Sequence, residues 1–279
     1  MKKMFLVLLA FFIFIPVLAF AHQPWIVEGK NIRVVEPEIS KAFYGQLKGE
    51  VDAYFISASE PFDLYVNILV PDVVGQKKDV SVIIFKGSEE LTALNGSTFA
   101  WQKFFEPFGH DTYWQGPEYK VRAEAGEYEI RVLSEENDSK YSLAIGETET
   151  FGLRETINAF STIPQLKRDF FAKLPIDFIL SPLGWGLIIV MFILAFAFGL
   201  LYRLLLKRLA KNSPRGFHKN IGRPDRLFRL ALSLGLLLLA ITTTWNPLII
   251  FFSGFTFFEA IFSWCGFYAA LGKNTCPIN

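Results

Sequence analysis

The chain has 279 residues, a formal net charge of +1 and 52% apolar side chains. Its mean hydropathy is positive, which argues against a single soluble globule. The small net charge hides a split: residues 22–182 carry 25 acids and 16 bases, and the rest of the chain carries 12 bases and 2 acids. Two parts in different surroundings are expected, rather than a uniformly basic nucleic-acid binder.

In chain order, Lys2 and Lys3 precede an apolar run from Met4 to Phe20 that closes on Ala19-Phe20-Ala21. A positive start, an apolar middle and a small-residue exit make a secretory signal peptide over residues 1–21, with His22 as the new N-terminus. An uncleaved anchor helix is the alternative. Either reading sends residue 22 onward across the membrane.

Residues 22–150 are expected to form an exported antiparallel β-sandwich. Short β-rich runs recur at Asn31–Val35, Ala53–Ile56, Leu64–Val70, Val80–Phe85, Lys120–Arg122, Tyr128–Val132 and Tyr141–Ile145. Turn residues such as Pro71-Asp72, Gly87-Ser88 and Asn95-Gly96 separate them. The hairpin pattern from Ala125 to Gly146 weakly resembles the closing strands of jelly-roll modules such as the bacterial pre-peptidase C-terminal domain. The aromatic stretch 98–119 is read as core or membrane-facing packing, with a ligand platform as the sharper alternative.

His22 raises a metal question. A free N-terminal histidine and a second imidazole can hold copper, and His110 is the other exported histidine. A copper site on His22 and His110 is therefore one alternative; a loose start at His22-Gln23-Pro24 is the bland one. No other cofactor is expected.

Residues 151–182 read as a juxtamembrane linker. Helical spacing runs over Glu155–Phe171, with Pro164 expected to kink or break it. An amphipathic helix on the outer bilayer face and a solvated stalk are both open.

Three transmembrane helices are expected next. Leu183–Tyr202 is uncharged and long enough for a ~30 Å hydrocarbon core. The basic loop 203–226 follows, with Asp225 as its one acid, and marks the cytoplasmic side. Two further spans, about 227–244 and 248–268, form a hairpin around Thr242-Thr243-Thr244-Trp245-Asn246-Pro247. The chain is thus placed in the cytoplasmic membrane, with residues 22–182 outside and the C-terminus inside. Glu259 sits in the middle of the third span by this reading. Intramembrane acids are functional candidates; helix–helix glue is preferred over a proton or ion path.

Cys265 and Cys276 are the two cysteines, both near the C-terminus. A cytoplasmic location keeps them reduced, so a structural disulfide is not expected. Cys265 reads as a packing residue, and no zinc spacing surrounds either thiol.

Asn220-Ile221-Gly222-Arg223-Pro224-Asp225-Arg226 ahead of one span, and Cys265 through Gly272-Lys273-Asn274-Thr275-Cys276 after the next, resemble the YgaP-like two-helix membrane domain over residues 216–279. The family often has Cys-Pro-Leu-Tyr where this chain has Cys265-Gly266-Phe267-Tyr268. Some members carry a rhodanese domain that this chain lacks. The resemblance implies a membrane hairpin and association of membrane helices, including a homodimer.

No P-loop, dinucleotide fingerprint, HExxH or GxSxG occurs, so no enzyme is expected. Three functional readings stand. The first is a non-enzymatic membrane protein displaying an extracytoplasmic sandwich to an unidentified ligand or protein. The second is copper handling by His22 and His110. The third is thiol or sulfur handling by Cys265 and Cys276. The lipid bilayer is an expected partner in all three, and nucleic acid is not.

Overall fold

A computed structural model describes residues 22–150, 152–209, 219–271 and 273–275. The expected signal peptide, residues 210–218 of the basic loop and Cys276 lie outside the described residues. The chain divides into two compact units, Met1–Leu174 and Pro175–Asn279.

The first unit is a two-sheet β structure. The strands are β1 Gln23–Ile26, β2 Asn31–Arg33, β3 Lys41–Gln46, β4 Asp52–Ala58, β5 Phe62–Pro71 and β6 Ser81–Lys86. They continue as β7 Glu89–Leu94, β8 Gln102–Glu106, β9 Asp111–Ala123, β10 Gly126–Leu133 and β11 Lys140–Ile145. One sheet runs β1-β3-β11-β5-β9-β8 and the other β2-β4-β10-β6-β7. Alternation explains the layering. Leu64, Val66, Ile68 and Val70 of β5 are fully buried, as are Ile130 and Val132 of β10 and Tyr141, Leu143 and Ile145 of β11. Each such side chain contributes about 1.5–3 kcal/mol by leaving water.

Every expected β run overlaps a strand. Four strands, β1, β3, β7 and β8, were not among those expectations. β1 is a regular edge strand, parallel to β3 with Gln23 opposite Lys41. His22 thus leads directly into a paired strand rather than a loose start. The expected Lys120–Arg122 is only the end of the 13-residue β9. Pro117 interrupts the pattern there because it has no N–H to give. The sheet absorbs it with a bulge: pairing shifts between Asn67 and Leu69, and buried Asn67 donates to the carbonyls of Gly116 and Pro117, each at 3.3 Å.

Helix α1, Leu153–Asp169, completes this unit. It runs through Pro164, so of the expected kink or break the break does not occur. It is neither a free stalk nor a helix open along its whole apolar side. Leu166 and the following Phe170 and Phe171 are buried with Tyr113 against Ile26, Tyr44 and Leu69.

The second unit is helical. It comprises a 3-10 turn at Pro175–Leu180, α2 Pro182–Leu209, α3 Arg223–Thr242, α4 Pro247–Phe262 and the short α5 Gly266–Ala270. α4 lies between α2 and α3. Glycines set the close approach of α2 and α4. A side chain at Gly254 would meet Ala195 Cβ at 3.1 Å, and one at Gly199 would meet the Phe258 ring at 2.5 Å. The α3–α4 turn is closed by Trp245, which is fully buried rather than facing a bilayer surface. Its indole N–H donates to the Pro175 carbonyl at 2.8 Å.

Among the described residues one helix, Pro182–Arg208, is long and apolar enough to cross a membrane. The expected second and third spans are shorter or more polar. α3 carries Arg223, Asp225, Arg226 and Arg229 near its start. α4 has 16 residues, about 24 Å at 1.5 Å per residue. The expected third span, 248–268, is broken after Phe262. Ser263 turns left-handed at φ 52°, and Cys265 is extended before α5 begins.

Candidate functional site at the closed end of the helical hairpin

The break after Phe262 relocates Glu259. It stands in the last turn of α4, not in the middle of a span. Its carboxylate pairs with Arg229 of α3, and both side chains are largely buried. Arg229 also lies 3.6 Å from Asp225, one turn earlier on α3. The Tyr268 ring sits beneath its guanidinium, 5.4 Å from the centroid. The next polar contact along the hairpin is between Ser233 and Ser253, where the Ser253 hydroxyl donates to the Ser233 carbonyl at 2.9 Å.

Asn220 ties this ion pair to the chain ends. Its side-chain amide donates to the Cys265 carbonyl at 2.9 Å, and its side-chain oxygen accepts from the Cys265 N–H at 2.7 Å. Its backbone N–H reaches the Ser263 carbonyl at 3.0 Å. Thr275 folds back onto the same point. Its N–H donates to the Asn220 carbonyl at 3.0 Å, and its hydroxyl accepts from the Gly222 N–H at 3.0 Å. That hydroxyl also donates to Asp225 at 3.1 Å. Gly222 caps α3 with no side chain of its own, so Thr275 satisfies one orphan donor of that helix start.

The arrangement encloses the Cys265 thiol, which is 2% exposed beside Glu259. Chemically the cluster is a closed polar knot: three stretches, 220–229, 259–265 and 273–275, bond one another and hold one thiol out of water, while Glu259 Oε1 and Arg229 Nε are buried with no hydrogen-bond partner among the described residues. Glu259 and Cys265 are brought together, and Cys276 lies outside the described residues. Sequence reading missed Arg229 as the partner of Glu259 and Asn220 as the hub. The signal for Asn220 was its place in Asn-Ile-Gly-Arg; no sequence pattern pairs Arg229 with Glu259.

The histidines are not brought together. His22 opens the edge strand β1, and its ring Nδ1 hydrogen-bonds Ser40. Burial holds its imidazole below the usual histidine range. His110 lies in the β8–β9 turn at the other edge, with Phe105 packed edge-on at 5.1 Å. The register runs Gln23, Lys41, Ile145, Val66, Tyr119, and His110 lies nine residues before Tyr119. Strand spacing and rise put the two histidines on the order of 35 Å apart. One copper ion cannot bridge them, so the expected pair is corrected. Among the described residues no group of three His, Cys, Asp or Glu could hold a metal.

The chain combines a β-sandwich-like unit with a helical unit that carries one helix long and apolar enough to cross a membrane. Residues 217–279 match the family described as the inner membrane protein YgaP-like, transmembrane domain. The Asn220, Glu259, Cys265 and Thr275 knot lies wholly within that match. No curated protein matches the chain. Among solved structures, the pre-peptidase C-terminal domain of a Bacillus anthracis collagenase is similar at 10% identity and TM-score 0.27, over 43% of this chain and 96% of that one. A CBM36-1 domain of a xylanase from the hindgut metagenome of Trinervitermes trinervoides is similar at 14% identity and TM-score 0.20, over 39% of this chain and 78% of that one.

Proposed function

We propose that this protein is a non-enzymatic membrane anchor that holds a β-sandwich on the extracytoplasmic side for binding a ligand or protein partner. One observation carries the reading. Helix α2 has no charged residue from Pro182 to Tyr202 and then meets Arg203, Lys207 and Arg208. Such a helix is long enough to span, and its basic end favours the cytoplasm. The sandwich precedes its uncharged end. The buried position of Cys265 favours packing over thiol chemistry, and the separation of His22 from His110 argues against one copper ion shared by the two.

The test is site-directed labelling in cells with a membrane-impermeant maleimide, in a Cys265→Ala, Cys276→Ala background. Ser88→Cys, in the exposed β6–β7 turn, is expected to label before lysis. In a separate Cys265→Ala protein, the retained Cys276 is expected to label only after lysis. Labelling of Ser88→Cys only after lysis overturns the proposed orientation.

A further inference from the structure

The outer face of the six-stranded sheet carries a groove with two kinds of recognition. One is aromatic. The Phe170 ring meets Tyr44 edge-on at 5.1 Å, and the Phe171 ring meets Tyr113 edge-on at 5.2 Å. The Tyr44 and Tyr113 hydroxyls bond each other at 2.9 Å, which fixes both rings as walls. The other is acidic. Asp111 is 2% exposed and receives Lys167 at 2.7 Å on one oxygen and Lys173 at 2.8 Å on the other. Lys167 itself is fully buried, and its ammonium also donates to the Gly109 carbonyl. Glu106 stands beside this pair and accepts from the Phe108 and Gly109 N–H groups at 2.7 and 2.6 Å. Burial pushes the Glu106 carboxyl up and the Lys167 ammonium down from their ordinary values.

What fills the groove is chiefly the segment Leu166–Lys173, with Ala159 and Pro164 also buried earlier on the helix. The start of α1 makes less of the contact: Ile157 is 57% exposed and Arg154 lies on the surface. A buried lysine is costly to leave unpaired and strongly selects an acidic partner. Two adjacent phenylalanines at fixed spacing select the aromatic walls. Together these read as a ligand in its site rather than as a uniform helix face.

We infer that this groove is a recognition site for a Lys-x-x-Phe-Phe-x-Lys helix end, and that residues 166–173 occupy it in cis as a releasable latch. Docked, the latch ends at Lys173, and Leu174 alone separates it from the helical unit that opens at Pro175. Released, residues 152–174 become free chain, on the order of 80 Å at full extension, since Gly146–Thr148 stay bonded to Tyr65, Glu38 and Ser40 and Thr150 to Gln23. The latch thereby sets how much chain is free to extend and opens a site for a partner bearing the same pattern. This rests on the groove geometry alone and holds whichever side of the membrane the sandwich occupies.

The test changes the ligand and spares the groove. The full chain in lipid nanodiscs carries Lys167→Ser, Phe170→Ser and Phe171→Ser together. Hydrogen exchange of Leu153–Asp169 is expected to quicken at least tenfold, while Tyr128–Val132 of β10 stays as protected as in wild type. A synthetic peptide of residues 161–174, at up to about 1 mM, is expected to bind the variant and not the wild type. Tethered segments compete at effective concentrations in the millimolar range, so the filled site excludes the peptide. Adding Asp111→Asn to the variant is expected to weaken peptide binding at least tenfold. Unchanged exchange of the helix overturns the inference. So does equal peptide binding to wild type, or none to the variant. Loss of β10 protection together with the helix overturns it too, since α1 would then be part of the core and not a latch.

Discussion

Replacing Asn220 by alanine tests whether the polar knot is what closes the hairpin. The side chain is 3% exposed and makes two hydrogen bonds, to the N–H and the carbonyl of Cys265. Its removal leaves the buried Cys265 N–H without a partner, at about 1–3 kcal/mol, while the Cys265 carbonyl keeps the Ala269 N–H at 2.9 Å. A loss of about 2 kcal/mol, the middle of that range, raises the open population roughly 30-fold, because ~1.4 kcal/mol is a factor of ten. The buried Cys265 thiol reports this directly. In a Cys276→Ala background in detergent micelles, its reaction with a small maleimide is expected to accelerate by about that factor in Asn220→Ala. Asn220→Asp keeps an acceptor for the Cys265 N–H and loses the donor, so an intermediate rate is expected. Equal rates in all three proteins would refute the reasoning, and Asn220 would then be a bystander to the closure.

Three further outcomes are expected. Glu259→Leu leaves Arg229 largely buried and without its main partner, and is expected to cost about 3–5 kcal/mol in chemical unfolding, whereas the double variant Arg229→Met, Glu259→Leu recovers most of it. In the sandwich, Tyr141→Phe removes the 2.7 Å hydrogen bond to the buried Asp52 carboxylate; a loss of about 1.5–3 kcal/mol is expected by urea unfolding of the full chain. Glu106 gives a pH signature. Burial raises its folded pKa above the ordinary 4.5, with Asp111 pushing the same way and the backbone N–H groups of Gly109 and Phe108, with Lys167, opposing. The native state therefore holds its proton longer than the unfolded chain, and stability falls as pH rises from about 4.5 through the folded value. Glu106→Gln is expected to lack that fall when thermal unfolding is followed across the window; an identical pH profile would exclude Glu106 as its source.

Local pattern determined a good part of this protein. Period-two alternation in Leu64–Val70, Tyr128–Val132 and Tyr141–Ile145 marked inner strands, because alternate side chains face the core; Asn67, Ser142 and Ala144 between them are buried as well, so only Tyr128–Val132 alternates cleanly in exposure. The uncharged run after Pro182 marked the long apolar helix, since composition and length alone decide whether a helix can span. Asn-Ile-Gly-Arg and Asn-Thr-Cys marked the two ends of the hairpin. The edge strands β1, β7 and β8 escaped, as did the inner β3. β8 is exposed almost throughout and β1 holds only four residues, so neither carries the alternation that one-sided burial imposes.

What only the tertiary structure decided are the pairings across long sequence distance. Glu259 meets Arg229 thirty residues away, and Lys167 meets Asp111 fifty-six residues away. His22 and His110 shared a residue type and an exported segment, yet the strand order sets them at opposite edges of one sheet. The end of α4 was likewise hidden: nothing in Phe262-Ser263-Trp264-Cys265 forbids a helix, and the left-handed Ser263 is held by bonds to Asn220 and Ile221 from the other end of the hairpin. Local sequence fixes which groups would rather leave water. Which of them leave it together depends on sheet order and helix contacts, and those depend on the whole chain at once.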